Sequence, residues 1–314
     1  LNISNGGNVC CDMCGYIGYE FGSTGEVTID GIGSSWSCIE GLYVGWCGQG
    51  TLRISNGGNV RCPGWGAGYI GGSWYFSGGR GIVSVDGEGS RWSCSGLYAG
   101  CTGQGTLEIS NGGSVCCDMC GYIGCSPGSV GEVSVDGAGS NWNCRGDLLV
   151  GDEGQGTMKI SNGGSVNVEG STRVAWFEDS TGQINFDNGT LTTGQLLAAS
   201  ADLTGVGVIN THGIVSDIDL IFDSTHGTNQ TITLNNLPGQ NITVNLSQDS
   251  SGSLGAGYAS EGTLTIKDGV SIESYDGYLG YKSGSVGQAT VDGAGSSLQC
   301  SNLYIGYSGQ GTLN

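Results

Sequence analysis

GQGTLRISNGGNVRCPGWGAGYIGGSWYFSGGRGIVSVD, residues 48–86, holds the grammar of the whole chain. A strand-and-turn phrase, GTLRISNGGNVRC, is followed by an aromatic-glycine phrase, GYIGG, and a near-synonym of the first phrase opens at Gly81. Apolar residues alternate within each short segment (Leu52 and Ile54, then Val83 and Val85), the mark of a half-buried strand. Asn-Gly and Asp-Gly stand between the segments, where corners call for residues that tolerate positive φ.

Outward from this stretch, SNGG recurs at Ser4, Ser55, Ser110 and Ser161, with spacings of 51, 55 and 51 residues. Each long repeat holds two related halves, so the structural unit is about 25 residues. Short alternating segments separated by glycine corners at that period describe the coils of a β-solenoid. The fold expected is all-β: a single right-handed parallel β-helix of about twelve coils of roughly 25 residues. At neighbouring-strand spacing this makes a rod on the order of 60 Å long, whose exposed end strands invite end-to-end pairing.

Three stretches differ in regularity. Residues 1–166 are regular and cysteine-rich; in residues 167–260 the WxC and SNGG words vanish; residues 261–314 return to them up to a repeat junction. The middle stretch still alternates, and is read as about four coils of altered shape, with a bulge or a wider cross-section. A short helix is considered at Gln195 to Asp202. The chain ends GTLN and begins LNISNGG, so overlapping the shared Leu-Asn makes a normal junction. The chain is therefore expected to be a fragment or processed product, one link of a longer array, covalent or stacked.

Composition narrows the function. Gly is 65 of 314 residues and Pro only 3, which fits recurring tight turns. A net charge of −19 opposes binding to nucleic acid or anionic lipid. No stretch approaches the roughly 20 apolar residues of a membrane helix, so membrane insertion is not expected. Fourteen cysteines with only two histidines point to an oxidising compartment rather than to zinc sites.

The words VDGxGSxW, LYVGxxGxGTLxISNGG and GYIG resemble the repeat of type V autotransporter passengers and of bacterial surface proteins that bear a PEP-CTERM sorting tail. The resemblance spans nearly the whole chain. It implies a secreted or surface-displayed β-solenoid, extracellular or on the bacterial cell surface, with no catalytic residues to carry over. The cysteine load departs from the pattern, where Thr, Ser or Asn would be commoner.

Stacking the halves in register aligns Cys11, Cys38, Cys62, Cys94, Cys117 and Cys144 in one column, one per coil. Neighbours in such a column fall within the Cα separation that a disulfide tolerates. Two pairings stay open: Cys11 with Cys38, Cys62 with Cys94 and Cys117 with Cys144; or Cys38 with Cys62 and Cys94 with Cys117. The second leaves Cys11 for Cys300 of a preceding copy, an intersubunit bond. Cys101 and Cys125 form a second column, and within the two CCDMC words Cys10 with Cys14 and Cys116 with Cys120 could close small loops. Cys47 has no obvious partner. Metal binding by CCDMC is the rival; each cluster holds three Cys and no His.

The Asp column (Asp30, Asp86, Asp136, Asp292) is read as Asx turns, with calcium binding the alternative for these carboxylates, and no cofactor is expected. His212 and His226, near Asp217, Asp219 and Asp223, are read as surface-turn residues. Glu178, Asp179 and Asp187 are the acidic candidates for a glycan-cleaving site. Trp36, Trp92 and Trp142 should fill core or corner space. Tyr16, Tyr43, Tyr69, Tyr98, Tyr122 and Tyr304 should form a ladder, placed inside the solenoid in the preferred reading and exposed to glycans in the other.

The function expected is structural: a filament, stalk or display scaffold that stacks end to end with copies of itself and is stapled by disulfides, without enzyme activity. The alternative is a surface protein that binds or cleaves glycans.

Overall fold

Alternation in the sequence becomes alternation of burial in space. In the computed structural model, which describes residues 1–74 and 78–314, the chain is an all-β parallel β-solenoid of about twelve turns, roughly 26 residues apart. It divides into two compact units: Leu1–Glu169 with Val174–Leu191, and Gly170–Arg173 with Thr192–Asn314.

Each coil from Asn2 to Val150 has three strands. Thr24–Asp30, Ser35–Cys38 and Gly41–Val44 make one coil; Gln49–Ser55, Asn59–Arg61 and Ala67–Ile70 make the next. The long strands stack parallel and in register, with Gln49 beside Arg80, Arg80 beside Gln104, and Gln104 beside Val130. Leu52, Ile54, Val83, Val85, Leu107 and Ile109 point inward and are fully buried. Each such side chain contributes about 1.5–3 kcal/mol of burial free energy.

The corners explain the glycine content. At SNGG, Asn56 (φ 51°) and Gly57 (φ 87°) take the left-handed conformation one after the other, as Asn111 and Gly112 do one repeat later. At the end of GYIG the backbones of successive coils nearly touch. A Cβ on Gly71 would lie 2.0 Å from the Gln104 carbonyl oxygen, so only glycine fits.

Why the sequence repeats every two coils rather than every one follows from the second and third strands. Val9, Val60, Val115 and Val166 alternate with Trp36, Trp92 and Trp142 down one inner column. Each indole lies over a glycine of the coil before it. A Cβ on Gly15 would stand 2.7 Å from Trp36 Cζ2, one on Gly68 2.4 Å from Trp92 Cζ2, and one on Gly121 2.7 Å from Trp142 Cζ2. Bulky and slim coils therefore interleave, as dense packing requires.

The second unit keeps the parallel ladder through Asp219–Phe222, Glu261–Ile266, Val286–Val291 and Gln310–Leu313, and through Ser271–Leu279 beside Ser297–Ile305. The irregular stretch departs from the expected succession of altered coils in one respect. Asn229–Leu234 runs antiparallel to Asn241–Ser247, a hairpin. Its loop holds Pro238 and Gly239, and Gln240 Oε1 accepts from the Asn236 and Leu237 backbone N–H groups. The expected bulge lies in the first unit, where the register of Gln155–Ser161 against Thr181–Leu197 shifts between Ile160 and Ser161. No α-helix forms at 195–202: Gln195 to Leu197 end a strand, and Ser200–Asp202 make a single 3-10 turn. Among the described residues no helix is long and apolar enough to cross a membrane.

Candidate functional site

In-register strands bring like residues together, and for cysteine this produces the thiol column expected from the sequence. Cys11 sits beside Cys38, Cys94 beside Cys117, and Cys117 beside Cys144. Cys62 follows directly on the pairing of Ser37 with Arg61, and its N–H donates to the Ser93 carbonyl at 2.8 Å. The column ends where Val168 takes the position beside Cys144. Cys38, Cys62, Cys94, Cys117 and Cys144 are buried and Cys11 is half-buried.

All fourteen cysteines carry free thiols, with no pair at bonding distance. Burial pushes the Cys38 thiol well above its ordinary pKa, with the Cys11 and Cys62 thiols adding to the effect. It pushes Cys62 up to about 12 and also raises Cys94 well above its ordinary value. For Cys117 the largest cause is its hydrogen bond with Cys144, and for Cys125 its hydrogen bond with Cys101. Cys101 and Cys125 thus meet in the second column, both buried.

An unforeseen partner is the indole of the WxC word. Trp36 Nε1 donates to Cys11 Sγ at 3.3 Å, one coil back. The indoles of Trp92 and Trp142 lie toward Cys62 and Cys117, which favours the thiolate there, but their N–H groups make no hydrogen bond among the described residues. Trp and Cys two residues apart on a strand point to the same side, which makes this contact legible once the register is known.

The CCDMC words split between faces. Cys10 is exposed and accepts from Asn8 Nδ2 at 3.4 Å, and Cys116 is half-buried on the same strand position of its coil. Cys14 and Cys120 approach the Tyr16 and Tyr122 hydroxyls; burial first, and these thiols next, push both phenols up to about 12. Among the described residues no three or more His, Cys, Asp or Glu side chains converge to hold a metal ion. Cys47 is half-buried near Glu20. In the second unit Cys300 is half-buried beside Ser274 and near Asp276.

The Asp column does more than turn its own corner. Asp30 Oδ1 accepts from Ser55 Oγ at 2.7 Å and Asn56 Nδ2 at 2.6 Å, both in the next coil. Asp86 holds Ser110 and Asn111, and Asp136 holds Ser161 and Asn162, by the same pair of bonds. These donors hold the Asp30 and Asp136 carboxyls below the usual carboxylate range. A serine that the motif reading passed over closes each corner from the other side. Ser34, Ser90 and Ser140 are fully buried, and their hydroxyl oxygens accept from the N–H groups of Gly6, Gly57 and Gly112.

The tyrosine ladder exists but lies outside. Leu42 and Val44 point inward, which turns Tyr43 outward, half-buried. Tyr16, Tyr43, Tyr69, Tyr98 and Tyr122 stack with ring centroids 4.7 to 5.1 Å apart and planes within 11° of parallel. Tyr304 stacks on Tyr278 in the second unit. The expectation of an internal ladder fails because the residues flanking each tyrosine take the inward positions, Leu42 and Val44 or Leu97 and Ala99 in some coils, and Gly68 or Gly121 with an indole above it in the others.

The remaining acidic candidates do not form one site. Glu178 and Asp179 occupy an exposed turn before Thr181–Leu197, and Asp187 sits at the bulge. His212 pairs with Asp249 at 2.9 Å and His226 with Asp223 at 2.7 Å. The His226 backbone and ring, together with Thr225 N–H, hold the Asp223 carboxyl at about 2. A groove of about 510 Å³ in the second unit is lined by Asp217, Asp219 and Glu261 and by Ile232, Thr233 and Leu234 of the hairpin. Asp217 accepts from the Ala259 and Ser260 N–H groups, and Asp219 from the Thr263 hydroxyl.

The fold and these contacts define a parallel β-solenoid whose repeated chemistry runs from coil to coil. No family model, curated protein or solved structure matches the chain.

Proposed function

We propose that the chain is a structural β-solenoid of the extracellular space or cell surface, a filament, stalk or display scaffold that stacks end to end with its own kind. The observation that carries this reading is the direction of its polar bonds. The repeated Asp, Ser and Asn groups are engaged with neighbouring coils, and the repeated thiols face one another inside. In an oxidising compartment the thiols become disulfides between coils. The register sets Cys11 beside Cys38, Cys94 beside Cys117 and Cys117 beside Cys144, so it serves both pairings.

Electron microscopy of purified protein, with and without reductant, tests the scaffold. Elongated particles that associate end to end support it; dispersed single particles at all concentrations overturn it. A non-reducing peptide map reads the pairing directly.

A glycan-binding role is the second reading, supported by the groove beside Asp217, Asp219 and Glu261. The tyrosine ladder adds little to it, because rings stacked on one another present edges rather than the faces that pack against sugars.

A further inference from the structure

One arrangement of sulfur and nitrogen occurs three times inside the first unit: Cys11, Trp36, Cys38; Cys62, Trp92, Cys94; Cys117, Trp142, Cys144. The two sulfurs come from successive coils, in register in the first and third sets and one residue beyond the paired stretch in the second, and the indole belongs to the same strand as the second sulfur. In the first set the indole N–H reaches the sulfur at 3.3 Å. In the other two the indoles are fully buried, and Trp92 Nε1 and Trp142 Nε1 have no hydrogen-bond partner among the described residues.

A buried donor without an acceptor is costly. The group it faces, a neutral thiol, is a weak acceptor, whereas a thiolate accepts strongly. Burial by itself opposes a bare thiolate. A univalent cation shared by two thiolates cancels one of their two charges, and the indole N–H donates to the charge that remains.

The ligand set selects the cation. Like positions on neighbouring parallel strands lie about 4.8 Å apart between backbones, so paired side chains there can share one ion. Sulfur ligands select soft ions such as Cu(I), and no third ligand converges on these pairs among the described residues, so tetrahedral zinc is not matched.

We infer that each Cys–Trp–Cys module is a two-coordinate site for a soft univalent cation, Cu(I) or Ag(I), held in line between thiolates of successive coils while the indole N–H donates to one of them. Binding forms two metal–sulfur bonds, breaks two S–H bonds and releases two protons to solvent; no electron is transferred, and copper enters already as Cu(I). Deprotonation ends the donations from Cys144 Sγ to the Met119 carbonyl at 3.1 Å and the Asp147 carbonyl at 3.4 Å, a cost that the new bonds must exceed. Cys101 and Cys125 are the natural comparison, a buried sulfur pair on neighbouring strand ends of the GYIG and LYAG words with no indole from a WxC word.

The experiment uses the full chain, reduced and kept free of oxygen, titrated with Cu(I) against a coloured Cu(I) chelator. The expected result is one ion per module, two thiols lost to a thiol reagent per ion, and two sulfur neighbours per copper by X-ray absorption. Cys117→Ser with Cys144→Ser removes one ion from the stoichiometry. Trp142→Phe keeps the stoichiometry and weakens that site about tenfold or more, the worth of a hydrogen bond to a charged group. It also stands alone if the serine pair fails to fold. Stoichiometry indifferent to the serine pair, which would place the ions on exposed thiols such as Cys10, overturns the inference. So do three-sulfur coordination and unchanged affinity in Trp142→Phe. The inference shares its cysteine pairs with the disulfide reading but not its outcome: monomers that never polymerise can still take up the ion, and filaments can form without it.

Discussion

One methyl group at Gly68 should force the Trp92 indole from its seat. The new Cβ would stand 2.4 Å from Trp92 Cζ2 and 3.0 Å from both Trp92 Cη2 and Leu97 Cδ1, all inside van der Waals contact. Gly68 does not take a left-handed φ, so the cost of Gly68→Ala is steric rather than conformational. Overpacking a tight core costs about 1–3 kcal/mol. Trp92→Val copies the residue found at Val60, and loses about 3–5 kcal/mol if the space stays open. In that background the alanine meets no indole and only the end of the Leu97 side chain at 3.0 Å, so the methyl group should cost far less there. Urea unfolding of the four proteins in reductant, followed by circular dichroism, gives the interaction energy. Equal cost of Gly68→Ala in both backgrounds would refute the interleaving of bulky and slim coils.

Acid should loosen the Asp corners. The folded pKa values of Asp30 and Asp136 are depressed, so their stabilisation is complete above the unfolded value of about 3.9 and fades as pH falls through the lower folded values. Asp136→Asn should flatten that part of the acid-stability curve; an unchanged curve counts against the clamp. Tyr69→Leu breaks two stacked pairs, at 4.7 and 4.8 Å, and should cost about 1–3 kcal/mol at about 0.5–1.5 kcal/mol per pair, read from the thermal melt. Ser90→Ala leaves the Gly57 N–H without its acceptor inside the corner, and faster amide exchange at Gly57 should report it while distant coils stay protected.

Much of the solenoid could be read from periodicity alone, because alternation and Asn-Gly corners are local signals. The cysteine register was equally legible: a column needs only that coils stack in phase. The sidedness of the tyrosines was not. It depends on which neighbour claims the interior, and Gly68 and Gly121 cede that space to Trp92 and Trp142 from the next coil. The hairpin at Asn229–Leu234 and Asn241–Ser247 carries an audible turn signal in NLPGQ, which a coil-by-coil reading overrode. The closing role of Ser34, Ser90 and Ser140 stayed hidden because their partners are backbone groups one coil away.

The seating of each indole over a glycine also limits how such a gene can change length. Removing residues 49–79 alone would set the coil of Trp92 directly on that of Trp36, so that Trp92 meets Leu42 where Gly68 had left room. Removing two successive coils restores tryptophan over glycine. The heritable unit of gain or loss is therefore the pair, and a lineage of these chains should shorten and lengthen by even numbers of coils.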